Sequence, residues 1–445
     1  MKNFLISILM ISSFFSLNAL NLEEAKQIAL KNNPDLLAAE ESNKASKNNL
    51  WKTYLSIAPS ASVSGGFTRY DEEKILQNSN DAYDGLYNYQ LVINQPIFNG
   101  GKVWLGAGLA KDADNISNES FKSARLNTIS NLEKKYFSVL KNQALLDIAN
   151  KNLQTSKTNT DIAKVKFESG SLSKAGYLQM QSEQANKEVS LIQVETLYQT
   201  SLLDLENFLS LEKIDELQEI SADDYQAELQ KLKETDMEEI NGLVDEIMQI
   251  GKKENPTLRI SELSVKTNNK SLLMAGGNFL PTLNLQYSKS WLKYDFEDTF
   301  NDNVGQLGIN VSVPIFPLVD NGLEVAVARN KLKQAKYSLE STENNIALSI
   351  KSSVLNMVSA AKTVYSSKLA LEYSAETYEQ MKEYFANGKI TANELLSAEI
   401  MYTSAQNQVA TGFYDYLSAK SSLLALMGTE DENVLNNILA QIGME

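Results

Sequence analysis

The stretch Gln95-Pro96-Ile97-Phe98-Asn99-Gly100-Gly101 has a counterpart in Val313-Pro314-Ile315-Phe316. Pro96 and Pro314 lie 218 residues apart. Two more proline pairs sit at nearly the same offset: Pro34 with Pro256 and Pro59 with Pro281, each 222 residues apart. The surroundings agree as well. Asn32-Asn33-Pro34-Asp35-Leu36 matches Glu254-Asn255-Pro256-Thr257-Leu258, and Phe167-Glu168-Ser169-Gly170 matches Phe385-Ala386-Asn387-Gly388. Six of the chain's seven prolines therefore belong to ordered pairs, and the sequence reads as a tandem duplication of about 200 residues, far longer than a solenoid repeat. The small change of offset places a length difference between Pro59 and Pro96.

Each half holds the same succession. A helix opens at Asn33-Pro34 or Asn255-Pro256, with asparagine as N-cap and proline at the first helical position. Two alternating stretches follow. Ala61, Val63, Gly65 and Phe67 alternate with serine and threonine, with a slip expected at Gly65-Gly66; Tyr87, Tyr89, Leu91 and Ile93 alternate with Asn88, Gln90 and Asn94. In the second half Leu283, Leu285, Tyr287 and Trp291 form one such row and Leu307, Ile309, Val311 and Val313 the other. Period two predicts strands with one apolar and one polar face. The polar face is uncharged, and a length of about 9–11 residues suits a tilted membrane-spanning strand. The acidic runs Asp71-Glu72-Glu73 and Asp295 to Asp302 read as hairpin loops. Next come proline-free helical stretches from Lys102 to Ser169 and from about Gly322 to Asn387, each about 100 Å of helix. A narrow apolar stripe rich in small residues predicts coiled-coil packing. Each ends at a glycine turn, Gly170 or Gly388, and a shorter helix returns over 173–210 or 391–427.

Composition narrows the function. The chain has 445 residues, a formal charge of −15, no histidine and no cysteine. That excludes Ser-His-Asp and Cys-His catalysis, Cys/His zinc sites and disulfides. The acidic balance argues against nucleic acid as a partner. Gly106-Ala107-Gly108 does not open a helix after a parallel strand, so it is no dinucleotide loop. Asn118-Glu119-Ser120 falls within a helix and is set aside as a glycosylation signal. No cofactor, metal site or enzyme is expected. Residues 1–19, with Lys2 before an apolar run and Ala19 at a cleavable end, read as a signal peptide. The remaining organisation is 20–210 as the first repeat, 211–238 as an acidic linker or equatorial segment without clear period, folded with short helix beside the coil, 239–428 as the second repeat and 429–445 as a tail.

Four strands cannot close a sheet in lipid, where each unpaired amide is costly, and closed barrels have at least eight strands. The chain must therefore oligomerise: a dimer supplies eight strands, a trimer twelve. These features, with the opening Asn21-Leu22-Glu23-Glu24-Ala25 and the Gln95–Gly101 junction, resemble the TolC-type outer-membrane efflux family over essentially the whole mature chain. The resemblance implies a homotrimer in the outer membrane. Twelve strands would form its β-barrel in outer-membrane lipid, and the coiled-coil hairpins would form a helical barrel in the periplasm. It implies a passive exit duct for efflux or type I secretion, joined by a periplasmic adaptor protein to an inner-membrane pump of RND, ABC or MFS type. Two other readings stand beside it: an adhesive or structural envelope-spanning coiled-coil trimer, and a periplasmic adaptor.

The same resemblance implies where the site residues fall. The strand–helix junctions are Pro96, Phe98, Pro314 and Phe316. Gly170 and Gly388 mark the tip turns and adaptor contacts. Members of the family narrow at the tip with acidic side chains just after the glycine. Counted from Gly388 those positions are Glu394, which fits, and Ser397, which departs; the comparable position in the first hairpin is Gly176. A trimer would then present one ring of Glu394 carboxylates, and such a ring favours cations.

Overall fold

The computed structural model describes residues 19–76, 81–295, 297, 299–302, 305–316 and 318–441. The signal peptide therefore lies, apart from Ala19, outside the described residues. The elements run α1 Leu22–Asn32, α2 Pro34–Leu55, β1 Ser60–Ile75, β2 Ala82–Asn99, α3 Lys102–Glu168 and α4 Lys174–Leu209. After a 3-10 turn at Ala222–Tyr225 come α5 Gln226–Glu234, α6 Met237–Glu254, α7 Pro256–Gly276, β3 Thr282–Tyr294, β4 Asn301–Asp302, β5 Gln306–Ser312, α8 Leu318–Ala386, α9 Ala392–Met427 and α10 Glu432–Gln441. The order helix, helix, strand pair, long helix, returning helix occurs twice, as the paired prolines require. The long helices α3 and α8 have 67 and 69 residues, about 100 Å of rise each. No helix among the described residues is long and apolar enough to cross a membrane.

The chain gathers into two compact units. One contains the chain up to Leu37, Ala124–Asn255 and the chain from Ile346 onward; the other contains Ala38–Ser123 and Pro256–Asn345. The long helices contribute to both. The first unit packs α1, α5, α6 and α10 against the coiled coil. Its centre is Tyr136, fully buried, whose hydroxyl lies 2.8 Å from the carbonyl oxygens of both Leu20 and Gln218. Leu20 and Leu217 also form a parallel bridge. Segment 211–238 is thus tied into the packed unit: Leu229 and Leu232 of α5 are buried, and Glu228 pairs with the nearly buried Lys420 at 3.0 Å. Nine helical residues are too few to display a period.

The N-caps of α2 and α7 do two jobs. Asn33 accepts hydrogen bonds from the backbone N–H groups of Asp35 and Leu36 at 3.1 and 3.2 Å, and its Nδ2 donates to the carbonyl of Phe208 at 3.3 Å. Asn255 Nδ2 donates to the carbonyl of Leu426 at 2.8 Å. Each asparagine is buried and satisfies an orphan carbonyl in the last turn of the returning helix of its own half. The helices preceding these caps, α1 and α6, each begin with a capping box, Asn21 with Glu24 and Asp236 with Glu239.

The returning helices end alike, but with different residues. Gly428 ends α9 in a left-handed conformation, φ 79°, and Ser210 ends α4 at φ 54°. Both make the same pair of closing bonds: Ser210 and Leu211 N–H to the carbonyls of Asn207 and Glu206, and Gly428 and Thr429 N–H to those of Ala425 and Leu424. A β-carbon at Gly428 would also lie 2.4 Å from the Glu254 carbonyl oxygen. Ser210 carries strain that glycine relieves, of order 1 kcal/mol. Ser210→Gly is therefore expected to raise the melting midpoint of the purified protein. Gly428→Ser is expected to lower it by more than Ser210→Gly raises it, because strain and backbone collision add. Equal and opposite shifts in a thermal melt would contradict the packing at Gly428.

Candidate functional site

The sheet is an antiparallel path β1-β2-β3, with β4 and β5 both paired to β3. Its register shows which side chains share a face, since residues directly opposite point the same way. Val63 faces Leu91, Gly65 faces Tyr89 and Phe67 faces Tyr87. Leu91 faces Lys289, Tyr89 faces Trp291 and Ile93 faces Tyr287. Tyr287 faces Leu307, and Leu285 faces Ile309. The four alternating rows therefore merge into one apolar face. It is exposed: Val63, Leu307, Ile309 and Val311 are between 64% and 73% accessible. The opposite face carries Ser60, Ser62 and Ser64, then Asn88, Gln90 and Asn94, then Asn284, Gln286, Ser288 and Ser290, then Gln306, Asn310 and Ser312. It also carries Leu86, Val92 and Leu292 but is otherwise mostly polar and almost without charge.

Two details differ from the sequence expectation. No slip occurs at Gly65-Gly66, which pair in register with Tyr89 and Asn88; the irregularity lies between Arg69 and Lys74. β1 and β2 also run well past the alternating segment, to 16 and 18 residues, so Asp71-Glu72-Glu73 sit in β1 rather than in a loop. Backbone pairing in a hairpin needs no amphipathic pattern, so the ladder resumes at Lys74–Tyr83 and Ile75–Ala82, beyond the irregularity that holds Asp71-Glu72-Glu73. Of the other acidic run, Phe296 and Asp298 lie outside the described residues.

The two strand–helix junctions are unequal. β2 continues through Pro96, opposite Asn284, then bulges so that Phe98 faces Leu283. Proline is tolerated there because β1 stops at Ser60, opposite Asn94, leaving one neighbour strand. Gln95 Nε2 donates to the Ile57 and Pro96 carbonyls, both at 3.0 Å. Gly100 and Gly101 then turn the chain into α3 at φ 56° and 79°. A β-carbon on Gly100 would lie 2.2 Å from the Gly277 carbonyl oxygen, and one on Gly277 would lie 2.3 Å from that of Gly100. Only glycine permits this backbone contact between the two halves. Pro314, by contrast, lies beyond β5, and Phe316 is 87% exposed. Trp51, Tyr54, Trp104 and Phe98 are also exposed in this unit, near where its strands give way to helices.

The hairpin tips belong to the other unit. Gly170 and Gly388, at φ 75° and 72°, close their helices with the same bonds: N–H of Gly170 and Ser171 to the carbonyls of Phe167 and Lys166, and N–H of Gly388 and Lys389 to those of Phe385 and Tyr384. Ser173 and Thr391 then cap α4 and α9. Gly176 and Glu394 occupy the same third position after these caps. Gly176 is buried, and its N–H donates to Ser173 Oγ at 3.1 Å. Glu394 is exposed and completes a capping box: its Oε2 accepts from the Thr391 N–H at 2.7 Å and hydroxyl at 2.8 Å. Those bonds hold its carboxyl below the ordinary glutamate range. Ser397 is exposed and bonds back to the Asn393 carbonyl at 2.9 Å.

The tip core brings the two hairpins together. Ala163, Met180, Tyr378, Phe385, Ala392, Leu395 and Ala398 form one buried cluster from α3, α4, α8 and α9. Small residues on two of them, Ala163 of α3 and Ala392 and Ala398 of α9, let the backbones approach. A polar group is built into it. Asn159 Nδ2 donates to the Tyr378 hydroxyl at 2.9 Å and to Glu399 Oε2 at 3.2 Å, and Lys187 Nζ lies 3.7 Å from Glu399 Oε1 and 3.1 Å from Glu183. Burial pushes the Glu399 carboxyl up from its ordinary value against the pull of Lys187 and Asn159, and pushes the Tyr378 hydroxyl to about 12. Sequence reasoning missed this group. The signal was available: Glu399 and Tyr402 continue the buried stripe set by Leu395 and Ala398. Among the described residues no cluster of carboxylates is placed to hold a metal ion.

The two glutamates have opposite linkage. Glu399, with its value raised, favours the folded chain below the ordinary glutamate range, and that contribution is lost as pH rises through the raised value. Glu394, with its value lowered, favours the folded chain above that range, and its contribution is lost as pH falls through the lowered value. Melting midpoints measured from about pH 3 to about pH 8 are expected to show it. Glu399→Gln flattens the decline on the rising side and Glu394→Gln flattens the decline on the acid side. Curves parallel to the parent for both variants would contradict the assignment.

Comparison with known proteins adds four findings. The family model described as "Outer membrane efflux protein" matches residues 25–210 and 248–429, one segment in each half of the duplication. The outer membrane protein TolC of Salmonella enteritidis is 22% identical over 98% of this chain and 87% of its own length. Among solved structures, CusC superposes with a TM-score of 0.79 at 15% identity, covering 94% of this chain and 96% of that one. The CmeC outer membrane channel of Campylobacter jejuni superposes with a TM-score of 0.76 at 17% identity, covering 95% and 90%.

Proposed function

Since the chain belongs to the outer membrane efflux protein family, we propose that three copies assemble into a passive duct across the outer membrane. The observation that carries this reading is the sheet: β4 and β5 share one side of β3 and count as a single interrupted strand, which gives four strands with one mainly apolar face and one mainly polar, uncharged face. Three such sheets supply twelve strands. The apolar faces meet lipid and the serine, asparagine and glutamine faces line water. An uncharged polar lining holds no ion or solute strongly, which suits a conduit whose cargo is driven from elsewhere. The exposed aromatics Tyr87 and Tyr89, beside the half-buried Trp291, at one limit of the sheet and Trp51, Phe98 and Trp104 at the other have the character of interfacial girdles.

The helical hairpins continue the duct into the periplasm. Their tips, with the turns at Gly170 and Gly388, receive a periplasmic adaptor protein, which couples the duct to an inner-membrane pump in an efflux or secretion system. Glu394 supplies a ring of three carboxylates at the entrance, with Ser397 a turn further on. Gly176 leaves the corresponding place in the first hairpin uncharged, so the ring is single. The Pro96–Phe98 and Pro314–Phe316 segments redirect the wall from strand to helix.

Two measurements test the reading. The native mass of protein extracted from outer membranes in detergent should correspond to three chains; a monodisperse monomer would remove the shared barrel. Reconstituted in planar bilayers, the trimer should conduct with a preference for cations that falls in Glu394→Gln. An unchanged preference would remove the ring while leaving the duct.

A further inference from the structure

In the helical part of the sheet's own unit, α8 carries a cationic face. Arg329, Lys333 and Lys336 stand at i, i+4 and i+7 on one side of the helix, and all three are exposed. The packed side of the same turns is marked by Ala335, which is buried, and by Leu332 and Leu339, which are half-buried. Leu323, Val327 and Tyr337 form a third row, exposed and apolar. The three cations make no ion pair among the described residues. We propose that the face formed by Arg329, Lys333 and Lys336 points out of the helical barrel and binds carboxylates on the peptide stems of the cell-wall glycan. The proposal rests on the duct, which places this helix in the periplasm.

Charge distribution supports it. The chain as a whole is acidic, with 56 Asp and Glu against 41 Lys and Arg. The helical parts of this unit, 38–55, 102–123, 256–276 and 318–345, reverse the balance, with 13 Lys and Arg against 10 Asp and Glu. Some of those cations are already engaged: Lys44 with Glu40 and Glu41, and Lys270 with Asp112. Glu340 lies one turn beyond Lys336, the less favourable order for an i, i+4 pair, and forms no ion pair with it. The face on α8 is therefore left to an outside anion. An acidic polymer is repelled by the chain's overall charge and attracted locally at this level.

Position selects the source of the anion. From Leu318, where α8 starts, Arg329 lies about 17 Å along the helix and Lys336 about 27 Å. The headgroup layer of a bilayer is about 5–8 Å thick, so lipid phosphates fall short of these residues. A duct that runs from the outer membrane into the periplasm has to pass the wall, and the wall's stem peptides are rich in carboxylates. Arginine and lysine spaced one turn apart along a rigid helix offer such carboxylates a row of donors.

The test uses the detergent-purified full-length protein and its cosedimentation with protein-free cell-wall sacculi. At about 50 mM salt the parent should sediment with the sacculi, and it should be released as salt rises to about 300 mM. Sacculi whose carboxylates have been amidated should retain about ten-fold less, and the triple variant Arg329→Gln, Lys333→Gln, Lys336→Gln should lose about ten-fold on unmodified sacculi, as three exposed charge contacts together predict. The native mass and bilayer conductance of the triple variant should be those of the parent. Lys213→Gln, which removes an exposed cation in the other unit, should bind as the parent does. Equal binding to amidated sacculi, undiminished binding by the triple variant or an equal loss in Lys213→Gln overturns the site. So does capture of the parent by phosphatidylglycerol vesicles in preference to sacculi, which would assign the face to lipid phosphate. A monomeric native mass overturns the duct itself, and is seen separately before any sacculi are added.

Discussion

An amide that enters lipid must bring its hydrogen-bond partner with it, and the architecture follows from that. Among the described residues β1 pairs only with β2 along one side and β5 only with β3 along the other. A single chain therefore offers two edges. No side chain can satisfy them, because the groups left over are backbone groups in rows. Another sheet edge can. In the proposed trimer the need for further copies is set by this row of amides rather than by any particular contact. The same demand explains Gly100 and Gly277. The wall has to pass from strand to helix in both halves without opening a gap, and a backbone approach closer than any β-carbon permits achieves it.

The duplicated halves have kept their backbone bonds and changed their side chains. The helix-closing bonds at Gly170 recur at Gly388, and those at Ser210 recur at Gly428. The asparagine that caps the entering helix and holds the leaving one recurs as Asn33 and Asn255. What differs is what each position presents. Third after the tip cap, one half has a buried glycine pressed against Leu172 and the other an exposed carboxylate. After the second strand, one half has a proline within the sheet and a pair of glycines, the other a proline beyond the strand. Six quasi-equivalent hairpins in the proposed trimer are therefore of two chemical kinds, which lets one kind bear the charge while the other packs.

Much of this was legible in the residues. The paired prolines located the repeat, the caps and turns placed the long helices to within a few residues, and period-two alternation marked the sheet's two faces. What was not legible was everything set by partners distant in sequence. The extra length of β1 and β2 comes from ladder bonds that ignore side-chain pattern. The continuity at Gly65-Gly66 depends on Tyr89 and Asn88, which hold the register. The helices of 211–238 are too short to display a period, yet Leu229 and Leu232 bury fully once α9 and α10 lie alongside. The polar group at Asn159, Lys187, Tyr378 and Glu399 draws one residue from each of four helices, and each looks alone like an ordinary coiled-coil position.

The two tip glutamates divide the electrostatic work by environment. Glu394 is exposed, and its carboxylate is held by two donors of Thr391, so it stays ionised through the neutral range. It is a fixed charge, suited to selecting ions and unsuited to sensing them. Glu399, one helical turn further, sits among alanines and tyrosines where ionisation is disfavoured, and its neighbours only partly compensate. A group of this kind holds four helices together at a net contribution smaller than its contacts suggest, since desolvation offsets much of the attraction. Removing one partner would leave a buried charge alone, so the cost of separating the hairpins at this level is set by whether Lys187, Glu399 and Asn159 move as one. The tip is thus stiff where the hairpins share that group and free to present charge where only the capping box engages Glu394.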